Sequence, residues 1–233
     1  MKRHFYLLCV LPGLKTFESP PPISKKELLS VVTESGGPTE IVQLLLLNDD
    51  LLQREAVLAG EIEPDHIEPV VLSHEQSVGK EPLPDFLVTG HEVENESVDN
   101  FIAGDSIRRN YFYHVSEIAK INRSEFLKAW VQFEVGLRNA LTKVRAEALK
   151  LDPNSYLVAP ELENPNLSFE NILGDWMRVP NPLEAAEVLD KARWNRLTEH
   201  EQWFSFSSDE IFAYTAKLMI LHRWRRIIGK DHI

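Results

Sequence analysis

"SEFLKAWVQFEVGLRNALTKVRAEALKL", residues 124–151, decides the fold class. Phe126, Trp130, Phe133, Leu137, Leu141, Val144, Ala148 and Leu151 recur in steps of four and three, which lines them up as one apolar seam on an α-helix. Ser124 stands ahead of the seam as an N-cap, and Pro153 disfavours helical backbone at Asp152. The spacing therefore predicts a helix from Ser124 to about Leu151, some 40 Å long at about 1.5 Å per residue. Glu134, Arg138 and Arg145 fall together on one flank of the seam, in a column with Leu127, Val131 and Leu149. Glu134 precedes Arg138 by four positions, the favourable order for an ion pair.

Such a charged column has two readings. Its stems pack while its heads reach water, contributing ~0.3–0.5 kcal/mol. Alternatively it is a partly buried polar clamp that fixes how a second helix layer, or another subunit, docks. Removing one partner of a buried pair costs ~3–5 kcal/mol.

The flanking sequence is also helical in pattern. Ser24 with Glu27 forms a capping box for "ISKKELLSVV". "PTEIVQLLLLNDDLLQREAVLAG", from Pro38 to Gly60, is dense enough in leucine for a buried helix or a pair of helices broken near Asn48. From Glu61 to about Ser97, acidic residues and histidines are strewn among prolines and glycines, which predicts an irregular acidic excursion. Helical spacing resumes in "VDNFIAGDSIRRNYFYHVSEIAKINR" and again in "NPLEAAEVLDKARWNRLTEH". A closing helix, "SSDEIFAYTAKLMILHRWRRIIGK", has Ser207 and Glu210 as a second capping box and Gly229 as its stop. Only the first ten residues hint at period-two alternation. The expected fold is mostly α, organised as an N-terminal helical part (1–60), an acidic Pro-rich loop (61–97) and a helical core region (98–233) able to form one domain with the first part.

Length and composition exclude several classes. With 233 residues, 43% hydrophobic and 26% charged, the chain resembles ordinary globular proteins. The single cysteine, Cys9, rules out an internal disulfide and fits a reducing compartment. "MKRHFYLLCVLPGLK" imitates a signal peptide, but Pro12-Gly13 cuts its apolar run and no small-residue cleavage site follows, so a cytoplasmic location is expected. Residues 1–100 hold 7 Lys+Arg against 18 Asp+Glu and residues 101–233 hold 18 against 18, so the net charge of -11 lies wholly in the first part. Such a surface repels phosphate backbones, and no nucleic-acid partner is expected.

Motifs for chemistry are sparse. The chain contains no GxGxxG, phosphate-loop, GxSxG or HExxH pattern. His66, His74 and His91 have spacings that match no common metal set, and neither cofactor nor metal is expected. An enzyme is the minority reading. In the closing helix, basic residues complement the macrodipole, and Trp224 among Arg223, Arg225 and Arg226 has the composition of an anchor for an acidic partner surface.

"RRNYFYHVSEIAKINRSEFLKAWVQFEVGLRNALTKVRA" resembles the central signature of the C subunit, also called the d subunit, of rotary V-type (A/V-type) ATPases. The matching positions are Phe126, Leu127, Trp130, Glu134, Leu137, Arg138, Asn139, Leu141, Thr142 and Arg145. "FAYTAKLMILHRWRRIIGK" is similar to that family's closing helix, and "FYLLCVLPGL" resembles a shorter bacterial branch encoded beside V-type ATPase genes. The likeness covers roughly Ile107 to Lys150 and Trp203 to Lys230 and is poor over the first hundred residues. It implies a C-subunit-like fold of packed long helices and a noncatalytic central-stalk connector. Such a connector links rotor-shaft subunits to the membrane proteolipid ring, aids proton or sodium transport, and is peripheral on the inner face of the cell membrane through its partners. Glu134 and Arg138, with Asn139 and Arg145, would form an internal brace, and Arg223, Trp224, Arg225 and Arg226 an interaction surface. A free-standing helical adaptor of another complex is the alternative, and a small hydrolase a weaker one.

Overall fold

The computed structural model describes residues 4–88, 103–199 and 205–229. Among these residues the chain is helical with no strand: α1 (Phe5–Val10), α2 (Lys25–Glu34), α3 (Thr39–Leu58), α4 (His74–Ser77), α5 (Asp85–Val88), α6 (Ala103–Asn122), α7 (Glu125–Ala148), α8 (Glu170–Arg178), α9 (Pro182–Glu199) and α10 (Ser208–Gly229). Two compact units divide it: Met1–Glu81 with Asp175–Ile233, and Pro82–Gly174. The closing helix lies in the same unit as the N-terminal part.

In the first unit, α3 packs against α2 and α10, and α10 also packs against α9. The leucine run at positions 44–47 is buried on every side of α3, and Ile211 to Leu221 is buried almost without break on α10, as expected of helices enclosed by neighbours. No break occurs at Asn48: α3 continues through it, and Asp49 and Asp50 become buried groups with partners instead. The capping box at α2 forms as spaced, with Glu27 N–H donating to Ser24 Oγ at 3.1 Å and Ser24 N–H to Glu27 Oε2 at 2.7 Å.

The hint of alternation in the opening residues resolves as the short helix α1, because an apolar run of this length carries no decisive period, and one expectation is corrected in this unit. At α10, Glu210 accepts the N–H of Phe206 at 2.9 Å, one position earlier than a Ser207–Glu210 box requires.

The acidic excursion is more ordered than its composition suggests, as far as Val88. Asp50 accepts the backbone N–H groups of Val70, Val71 and Leu72 at 2.6–3.1 Å, and Gln53 accepts that of Glu68 at 2.8 Å. Those bonds pin the segment to α3, and Ile67 and Leu72 are buried beneath it. Residues 89–97 of the expected loop, His91 included, lie outside the described residues.

In the second unit α6 and α7 form a hairpin, with α5 packed on α6. Asn122 ends α6 and Arg123 takes φ +52°, while Ser124 N–H donates to Ala119 O and Arg123 N–H to Lys120 O. This is a Schellman turn with arginine where glycine is usual. Ser124 then caps α7 by accepting Leu127 N–H at 3.1 Å. The same turn closes α7 at Lys150, φ +59°, so the helix stops at Ala148 and leaves Leu149 and Leu151 exposed. The seam is buried from Phe126 to Leu141 and surfaces after it. Where Gly136 lacks a side chain, the Phe169 ring lies on α7, so close that a Cβ there would meet it at 2.7 Å.

Candidate functional site

Two groups of residues expected to carry function can be placed, one in each unit. The first is the flank of α7. Glu134 is buried, not water-facing. It lies in the field of Tyr111 on α6: burial pushes the Tyr111 hydroxyl above its usual range, Arg108 pulls it down and Glu134 pushes it further up. Arg138 reaches Asp105 of α6 at 2.7 Å, so the ion pair spans two helices and is not the expected pair with Glu134 along α7. Side-chain exposures of 35% for Arg138 and 20% for Asp105 place the bridge at the edge of the core.

Asn139 is the most enclosed member. Fully buried, it donates through Nδ2 to Val158 O at 2.9 Å and to Glu163 Oε1 at 2.6 Å, and accepts Val158 N–H through Oδ1 at 2.9 Å. One amide therefore fastens the segment after α7 back onto the helix. Arg145, by contrast, is exposed on the last turn of α7. Together, the edge bridge of Arg138 and the amide of Asn139 fasten α7 to α6 and to residues 158–163. That constrains how these parts move.

The second group is the end of α10. Trp224, expected as an exposed anchor, is 6% exposed and packs on Phe17, with ring centroids 5.3 Å apart. Its burial follows from its face: it continues the stripe of Ile220, Leu221 and Lys217 that points into the unit. Arg226 grips the buried Asp49 with Nη2 to Oδ1 at 2.5 Å and Nη1 to Oδ2 at 3.2 Å, while Lys25 approaches Oδ2 from α2 at 2.5 Å. Burial pushes the Asp49 carboxyl up, but the charges and hydrogen bonds of Arg226 and Lys25 outweigh it and hold the group at about 2. Arg223 faces Asp190 of α9 at 3.4 Å, alongside Arg193 at 3.1 Å. Only Arg225 of the four is exposed.

His222 completes this end. Its Nε2 donates to Ile23 O at 2.8 Å, and burial, helped by Lys25 and Arg226, holds the imidazole below its usual value despite that bond and Asp49. Asp50 is pushed the other way by burial, against the three N–H groups and Lys25 that favour its charge. Sequence reading missed Asp49, Asp50, Asp105 and Asp190. For Asp49 and Asp50 the signal was a charged pair inside "LLLLNDDLLQ", since ionised groups amid leucines require partners, whereas Asp105 and Asp190 stand in ordinary polar helical sequence and carry no such mark.

Among the described residues no group of three or more His, Cys, Asp and Glu could hold a metal ion, and no helix is long and apolar enough to cross a membrane. A cleft of about 590 Å³ in the second unit is lined by Lys120, Arg123 and Lys128 together with Glu125 and Glu161, a wall of mixed sign. The chain matches no protein-family model, no curated protein and no solved structure.

Proposed function

We propose that this chain is a noncatalytic connector in the central stalk of a rotary V-type ATPase, seated between the rotor-shaft subunits and the membrane proteolipid ring and so aiding proton or sodium transport. The observation that carries this reading is the behaviour of the C-subunit-like signature on α7. Two of its polar members, Arg138 and Asn139, bond to other parts of the same unit, Asp105 on α6 and the 158–163 segment, and a third, Glu134, is buried. A part that transmits torque needs helices that do not slide on one another, and interhelical polar contacts oppose sliding because each has one geometry. The unbroken 24-residue α7 supports the reading in the same way. In this role the chain has no reaction centre of its own and lies at the membrane through its partners, on the cytoplasmic side.

The test is composition of the assembled enzyme. The V-type ATPase of the native host, solubilised in mild detergent and purified through one of its ATP-hydrolysing subunits, should contain this chain in constant proportion across preparations. Its absence from an otherwise intact complex would refute the proposal.

A further inference from the structure

The cleft of about 590 Å³ lies wholly within the second unit, along α7 between the end of α6 and the turn Pro160–Leu162. Its place follows from what adjoining faces of α7 hold. Arg138 reaches Asp105 on α6. On the neighbouring face Gln132 accepts Asn164 Nδ2 at 3.4 Å, and Asn139 donates to Val158 O and Glu163 Oε1. Between these two attachments Val131 of α7, Ala119 of α6 and Leu162 form the apolar part of the cleft. Its volume suits a small ligand.

The charges around this cleft are sorted by side. Lys120 and Arg123 stand on the α6 side and Glu161 on the other, while Glu125 and Lys128 of α7 face each other at 3.9 Å and balance. Among the described residues Lys120, Arg123 and Glu161 are exposed and take part in no ion pair. Both sides are also fixed in position. Arg123 holds φ +52° in the turn between α6 and α7, and Ala159, fully buried at φ +45°, leads into the turn that carries Glu161. Val158, just before it, is gripped by Asn139 at both its N–H and its C=O. Residues other than glycine persist in left-handed backbone only where their surroundings over-determine them, and they gather at binding sites. Glycine would make the Arg123 turn at less cost, so what arginine adds is its guanidinium at the rim of the cleft.

We propose that this cleft binds a small zwitterion, with an anionic group against Lys120 and Arg123, a cationic group against Glu161, and an apolar chain between them over Val131 and Leu162. A carboxylate matches the guanidinium fork of Arg123. A ligand with one charge would answer one side of the cleft and leave the other unmatched, so both charges are needed for the full attraction. This site goes beyond the connector reading and does not depend on it.

The test uses the full chain and 6-aminohexanoate, with hexanoate and hexylammonium as singly charged probes of the same length. Each is titrated at constant ionic strength and followed by methyl NMR of Val131 and Leu162. Expected is saturable binding of 6-aminohexanoate, tighter than either singly charged probe by about threefold or more, since an exposed ion pair contributes up to about fivefold in affinity. Glu161→Gln should lower its affinity to that of hexanoate. Arg123→Gly should weaken it by about threefold while leaving the chain at least as stable in a thermal melt, so that the loss cannot come from unfolding. No saturable shift, shifts confined to other methyl groups, equal affinity for the three probes, or unchanged affinity in either variant overturns the proposal. None of these outcomes touches the connector reading, which the composition of the purified ATPase tests by itself.

Discussion

Replacing Asn139 by alanine should destabilise the second unit far more than any other change on the flank of α7. The amide makes two neutral hydrogen bonds with Val158 and one with the Glu163 carboxylate. At about 1 kcal/mol for each neutral bond and about 1.5–3 kcal/mol for the one to a charged group, the loss comes to roughly 4 kcal/mol. The N–H and C=O of Val158, itself 1% exposed, would be left buried and unpaired, which keeps the figure from being recovered by water. Arg138→Ala removes a bridge whose two ends are partly exposed, and should cost about 1 kcal/mol. Urea unfolding followed by fluorine NMR of 5-fluorotryptophan protein separates the units, because Trp130 is the one tryptophan between residues 82 and 174. A loss below about 1 kcal/mol for Asn139→Ala, or a larger loss for Arg138→Ala, would refute the reasoning that the buried amide, not the edge ion pair, fastens this unit.

Four further outcomes follow from the same contacts. Lys150→Gly, at an exposed position with φ +59°, should raise stability by about 0.5–1 kcal/mol in thermal melts, because glycine relieves the left-handed strain of the Schellman turn. Trp224→Ala should cost about 3–5 kcal/mol as a core truncation while Arg225→Ala stays within about 0.5 kcal/mol, as read by denaturant titration. The depressed Asp49 carboxyl contributes stability that is present above its unfolded value of 3.8 and is lost as pH falls toward about 2, so acid unfolding monitored by circular dichroism should steepen between about pH 4 and 2. His222 is also held low, so the fold favours its neutral form: stability present above about pH 6.5 should decline on acidification below it, and His222→Gln should flatten that decline.

What could be read from the chain was what is local. The Ser24–Glu27 box is complete within four residues, and both of its bonds form. The seam of α7 is periodic, and its buried part runs from Phe126 to Leu141 as spaced. What could not be read is which remote group each charge meets. Arg138 lies four residues from Glu134 but pairs with Asp105, 33 positions away, and Arg226 meets Asp49 at a separation of 177. Helix-surface spacing ranks neighbours on one helix and is silent about the helix packed against it. Trp224 departs from expectation for a related reason: arginines on either side suggest water, while its own face of α10 continues the buried stripe. Left-handed residues at Arg123 and Lys150 are hidden in the sequence because the turn is recognised there by glycine, which is present at Gly36 and Gly60.

The most direct test of a torque-carrying link between shaft and ring is cross-linking mass spectrometry on membranes of the native host. A connector should give links from this chain to a rotor-shaft subunit and, from other positions, to the proteolipid ring or its immediate neighbours. Links confined to proteins outside the V-type ATPase, or an ATPase whose shaft and ring are joined by another chain with this one unlinked, would contradict it.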